Sequence, residues 1–104
     1  MLVILISSAC HPDDVPRMRE LVLQVARESR KEPACMAYSV AVDAENPNLH
    51  RVAECWAGVE EHRAHMTTPH VRAFFAQSAG LRGLSRSIGA FEVARRLDIV
   101  LPEK

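Results

Sequence analysis

The residues C-M-A-Y-S-V-A-V, Cys35 to Val42, followed by D-A-E-N-P-N and then L-H-R-V-A-E-C-W, Leu49 to Trp56, decide the fold. The first segment has a period of two: Met36, Tyr38, Val40 and Val42 share one face, and Cys35, Ala37, Ser39 and Ala41 share the other. Asp43 to Asn48 is turn chemistry, rich in Asp, Asn and Pro. The second segment reads as the hairpin partner of the first, with His50, Val52, Glu54 and Trp56 on one face. Small or apolar residues on both sides of the first strand predict that the sheet is covered on both faces.

Working outward toward the N-terminus, Met1 to Ser8 is a continuous apolar run that reads as a buried strand. His11-Pro12-Asp13-Asp14 breaks it, and Asp13 or Asp14 can cap the next helix. Val15, Met18, Leu21, Val22 and Val25 then form one helical stripe, which ends at Lys31-Glu32-Pro33. Toward the C-terminus, Gly58 closes the second hairpin strand and Val59 to His65 reads as helix. Thr67-Thr68-Pro69 restarts or kinks that helix, with Thr68 as cap and Pro69 at the first helical position. Val71, Phe74, Phe75 and Ser78 continue it to Gly80, and Ser85 to Val93 reads as a fourth strand with a bulge at Gly89.

The order is β-α-β-β-α-β. It predicts an α+β, ferredoxin-like domain with a four-stranded antiparallel sheet and both helices on one face. A sheet apolar on both faces but covered on only one predicts a homodimer through the open face. The tail, residues 95–104, carries Leu97, Ile99 and Leu101 on one side and is expected to reach the partner subunit.

At 104 residues the chain reads as a single domain, 1–104, small enough that a partner subunit would help its stability. Lys plus Arg (13) balances Asp plus Glu (13), so no long-range attraction to nucleic acid or to anionic membrane is expected. Cys10, Cys35 and Cys55 contain no C-x-x-C pair, which argues against a disulfide framework and suits a reducing, cytoplasmic setting. The apolar start, Met1 to Ile6, is shorter than the roughly 7–15 residues of an export-signal core.

Glu32-Pro33-Ala34-Cys35 leading to Tyr38, then Asn46-Pro47, Glu54-Cys55-Trp56, Glu60 to His65, Thr68-Pro69-His70 and Phe74 together resemble the antibiotic biosynthesis monooxygenase family. The resemblance runs from about Glu28 to Phe75 and implies a dimeric α+β barrel. The family pattern is an E-P-G-C-like turn, a strand aromatic, E-x-W and a histidine nine residues after the tryptophan, here His65. Ala34 stands where glycine is usual, so this turn must avoid a positive φ. Haem-degrading relatives carry an asparagine late in the first strand, where this chain has Ser7 and Ser8; that points away from haem degradation.

The resemblance implies oxygenation of a quinol or polyphenol by O₂ without metal, flavin or haem. A phenolate can itself donate an electron to O₂, so the protein need only remove a proton, hold the anion and exclude water. His65 is the candidate base, with Trp56 beside it as the second catalytic candidate. Tyr38 and Glu54 are candidate substrate contacts, and Met66, Val71, Phe74 and Phe75 would close the cavity from the helix side. Each has a simpler alternative. His65 can serve as a helix-end hydrogen bonder, Trp56 and the phenylalanines as core, and Glu54 as partner of Arg51, Arg86 or a histidine.

Two other functions fit the same family look. One is a proton-transfer isomerase of a small phosphorylated dione, for which Arg63, Arg72 and Arg86 could hold the phosphate. The other is a non-enzymatic, dimeric ligand-binding module. No metal is expected, because His62 and His65 at i and i+3 lack a third ligand in register and Pro69 separates them from His70.

Overall fold

A computed structural model describes residues 1–103. The central hairpin forms as its alternation requires: β2 (Cys35–Val42) pairs antiparallel with β3 (His50–Trp56). β3 pairs with β1 (Leu2–Ala9), and β1 with β4 (Ser85–Glu92), giving one antiparallel sheet in the order β2-β3-β1-β4. Helices α1 (Val15–Ser29), α2 (Val59–Met66) and α3 (Pro69–Ser78) complete an α+β, ferredoxin-like fold. No helix among the described residues is long and apolar enough to cross a membrane.

The helix-side face holds the core. Met18, Leu21 and Val22 of α1 pack with Val52 of β3, while Leu2 and Ile4 pack with Trp56. Glu54 and His50 lie on the same face of β3 and are buried with them.

The stretch from Val59 to Ser78 is two helices, the restart that Thr67-Thr68-Pro69 allowed, because Thr68 is extended and Pro69 has no N–H with which to continue α2. Other local features depart from the sequence expectation. Thr68 occupies the cap position of α3, but its hydroxyl donates back to the His65 carbonyl at 2.7 Å instead of capping α3. Asp14 likewise stands at the cap position of α1 without capping it. Its carboxylate takes the Arg82 backbone amide at 2.9 Å and the Arg82 guanidinium, which holds its pKa down at about 2 and ties α1 to the approach of β4.

The sheet's irregularity lies in β2, between Cys35 and Ala37, and not at Gly89, where the β1–β4 register runs without a break. The shift at Met36 places Cys35 on the helix side with Tyr38 and leaves Met36 60% exposed. At Gly89 an added Cβ would stand 3.0 Å from the Phe91 ring, so this glycine makes room for an aromatic side chain along its own strand. Ala34 turns the chain into β2 without a positive φ.

The second face of the sheet carries Leu5 and Phe91, both more than half exposed in the single chain. The last backbone pairing joins Val93 to Met1; beyond it the tail has no regular structure, and Leu97, Ile99 and Leu101 are exposed.

Candidate active site

A cavity of about 560 Å³ lies between the sheet and helices α2 and α3. Its floor is the helix side of β1 and β4, with Leu2, Ile4 and Ile6 beside Ile88 and Ala90. From the helices come Met66, Val71, Phe74 and Phe75, and Tyr38 and Glu54 reach it from β2 and β3. Strand alternation explains the selection: Glu54 lies opposite Ile4, and both side chains project toward the helices. Met66 and Phe75 are each partly open to solvent. A volume of this size with a mostly apolar lining suits a molecule with several rings.

Of the residues anticipated from the sequence, Tyr38, Glu54, His65, Met66, Val71, Phe74 and Phe75 share this cavity. Trp56 does not line it. The indole is fully buried behind the wall, and its Nε1 donates to Glu54 Oε1 at 2.9 Å. Its ring lies against His65, with centroids 4.2 Å apart, so it supports the histidine from behind.

His65 is 3% exposed and is held at its other edge as well. Its Nδ1 lies 2.6 Å from Glu32 Oε2, and His70 Nε2 approaches the same oxygen at 2.9 Å. A carboxylate can only accept, so against an ionised Glu32 the imidazoles must donate. For a neutral His65 this places the proton on Nδ1 and leaves the lone pair on Nε2. The position of Glu32 follows from the turn before β2, which Cys35 N closes on the Glu32 carbonyl at 3.0 Å.

Three titrations are shifted. Burial pushes the Glu54 carboxyl up, against the opposing pull of the Trp56 hydrogen bond. Burial, with Glu54 nearby, lifts the Tyr38 phenol well above its ordinary range and keeps it a neutral hydroxyl. Burial, then the nearby His65, lowers the His62 imidazole. The cavity wall thus favours uncharged forms at each of these positions, as a low-dielectric site should.

Glu54 pairs with neither Arg51 nor Arg86. Arg51 turns to the open face and bonds Asp43 and Ser7, and Arg86 bonds Ser78. Glu32, His70 and His62 complete the site beyond the anticipated residues. Two groups could offer a cation three ligands, Glu32 with His65 and His70, and Glu54 with His62 and His65, the donor atoms in each lying within 4.8 Å of one another. The carboxylate in each lies outside α2, Glu32 in the turn before β2 and Glu54 on β3, which is why spacing along the helix did not show it. In the first group the atoms already hydrogen-bond one another, and in both His65 is shared, so the two sets compete for one imidazole.

The fold recurs in solved structures. A candidate antibiotic biosynthesis monooxygenase from Deinococcus radiodurans superposes with a TM-score of 0.88 at 21% identity, over 96% of this chain and 99% of that one. A second candidate from Nitrosomonas europaea gives 0.84 at 18% identity, over 91% and 100%. A Bacteroides thetaiotaomicron protein of unknown function, a possible oxidoreductase, gives 0.82 at 18% identity, over 88% and 96%. At such identities the likeness speaks for the fold alone. Curated proteins yield no match. The profile of one family, antibiotic biosynthesis monooxygenase, matches residues 1–77, the segment that runs from β1 to the last turn of α3 and includes every element of the cavity wall except β4. On that match the chain belongs to the antibiotic biosynthesis monooxygenase family.

Proposed function

We propose that this protein is a monooxygenase that inserts one atom of O₂ into a quinol or polyphenol without a cofactor, and that it works as a homodimer. The observation that carries the reading is that one apolar cavity holds both Glu54 and a His65 clamped through Nδ1 to Glu32. A clamped imidazole with a free Nε2 can take the proton of a phenol. The resulting anion transfers one electron to O₂, and superoxide and the ring radical then combine. The balance closes without a reductant: a hydroquinone and O₂ give a hydroxyquinone and water, the substrate supplying all the electrons. Membership of the family supports oxygenation as the reaction type; the quinol is what the resemblance implies, and a mostly apolar cavity of this size is compatible with it.

The homodimer reading is supported by Leu5, Met36 and Phe91, exposed in the single chain, which a second copy on the uncovered sheet face would bury. The exposed apolar tail would pack across it. The test is oxygen uptake with a panel of hydroquinones, read with ¹⁸O₂. One labelled atom in the product, turnover insensitive to chelation and a dimer by sedimentation are expected. Turnover abolished by a chelator and restored by a divalent ion would transfer Glu54, His62 and His65 to the role of ligands.

A further inference from the structure

Ser8 ends the cavity's floor at one extreme. It is 7% exposed, lines the cavity, and its hydroxyl makes no hydrogen bond within the described chain. Directly across the β1–β4 ladder stands Arg86, also at the cavity. Its guanidinium sits 5.5 Å from the Phe74 ring centre and 5.3 Å from that of Phe75. Its Nη2 donates to Ser78 Oγ at 3.0 Å, and Ser78 is itself buried. Two aromatic faces and a fixed hydroxyl therefore orient this side chain without a carboxylate. Arg17, Arg51, Arg63 and Arg82 each rest on an acidic partner; among the described residues Arg86 has none.

We infer that Arg86 and Ser8 form a clasp for a single negative charge, a carboxylate, on the molecule that fills the cavity. An oriented guanidinium and a hydroxyl free to turn its O–H outward provide donors for an oxyanion, and neither carries a negative charge that would repel it. The clasp offers one cation and so matches one negative charge. A phosphate would need a second cation, but Arg63 is tied to Glu60 and Arg72 does not line the cavity.

The register also sets a length. Ser8 lies four residues along β1 from Ile4, which stands opposite Glu54; at ~3.3 Å per residue the clasp is about 13 Å from the proton-removing wall. A hydroxybenzoate is too short to reach both. The substrate class is a fused-ring phenol or quinol whose carboxylate is remote from the reacting hydroxyl. The length requirement rests on the function proposed above; the clasp itself does not.

The test separates the two. 1-Anilinonaphthalene-8-sulfonate and N-phenyl-1-naphthylamine share one aromatic body, and only the first carries an anion. Energy transfer from Trp56, the sole tryptophan, reports either one in the cavity. Wild type should prefer the anionic probe. Arg86→Gln should weaken that probe about ten- to a hundredfold, the usual scale for a hydrogen bond to a charged group, while leaving the neutral one unchanged. Arg86→Lys should recover part of the loss, and Ser8→Ala should show a smaller loss confined to the anionic probe. Arg86 is at the surface, so circular dichroism and melting should match wild type. Equal binding of both probes by wild type, or an equal change in both on Arg86→Gln, would overturn the clasp whether or not the protein oxygenates anything. If the probes behave as expected and quinol carboxylates are not oxidised, the clasp stands and the oxygenase reading falls.

Discussion

His50 and His65 are both almost wholly inaccessible, at 0% and 3% exposure, and both meet the helix side of the same strand. Their surroundings differ in kind. His50 lies under α1, where Nε2 accepts from Arg19 Nε at 3.0 Å and Nδ1 meets no partner. Burial, then the Arg19 charge, lowers its pKa, so it is held neutral. His65 faces a cavity, is clamped by a carboxylate and is backed by an indole. A buried histidine is thus no site in itself. Chemistry needs an approach for a substrate, a partner that fixes the tautomer, and a wall that keeps the ring still, and only His65 has all three.

The largest effect should come from removing that wall. Trp56→Ala leaves a cavity behind His65 and Glu54 and should cost about 3–5 kcal/mol in chemical denaturation. Trp56→Phe keeps most of the packing and loses the bond to Glu54, so it should retain more stability than activity. If Trp56→Ala lowered turnover with no loss of stability, the indole would be a substrate contact and not a support, and the contrast with His50 would fail at its first point.

Next in size is the base itself. His65→Ala should lower turnover on a competent hydroquinone by roughly 10²-fold or more. His62→Ala and His50→Gln should change it little. Glu32→Gln should fall between, because it keeps the side chain's shape while losing the charge that fixes His65's proton on Nδ1. Its distinguishing readout is a displaced pH profile with little change in melting. Equal small losses from His65→Ala and His62→Ala would mean that neither is the base.

The same contrast explains which parts of the molecule could be read from the chain. The hairpin was legible because alternation from Tyr38 to Val42 and from His50 to Trp56 is a local property of a strand, and the helices because their stripes are. His65 stood out only through the family resemblance, which expects a histidine nine residues after Trp56. Glu32 was visible only as part of a turn; its contact with His65 spans 33 positions and depends on how that turn sits against α2. The bulge at Met36 was hidden for a similar reason: period two holds on either side of it, and only pairing with Cys55 and Trp56 shows that one residue is extra. Gly89 misled in the opposite direction, since a glycine in a strand signals either a bulge or close approach, and here Phe91 supplies the approach. Arg86 gave no local sign, because its partners come from α3.

The smallest effect, and the one that bears directly on the two regions, is in stability against pH. His50 is lowered in the folded state relative to its ordinary value near ~6.5, so the unfolded chain binds the proton more readily. Stability from this group is present above that value and is lost as pH falls through it. Glu54 is raised, so its sign is opposite: the stability it contributes is full at acid pH and is lost as pH rises through its folded value, above the ordinary 4.5. Each limb is bounded by about 1.4 kcal/mol per pH unit, the linkage for one proton. His50→Gln keeps an acceptor for Arg19 and should flatten the acid limb below about pH 6.5. Glu54→Gln keeps an acceptor for Trp56 and should flatten the opposite limb, making the variant more stable than wild type at pH 8. An acid limb that survives His50→Gln but disappears in His65→Ala would place the titrating imidazole in the cavity, and the two histidines would have exchanged the roles assigned to them.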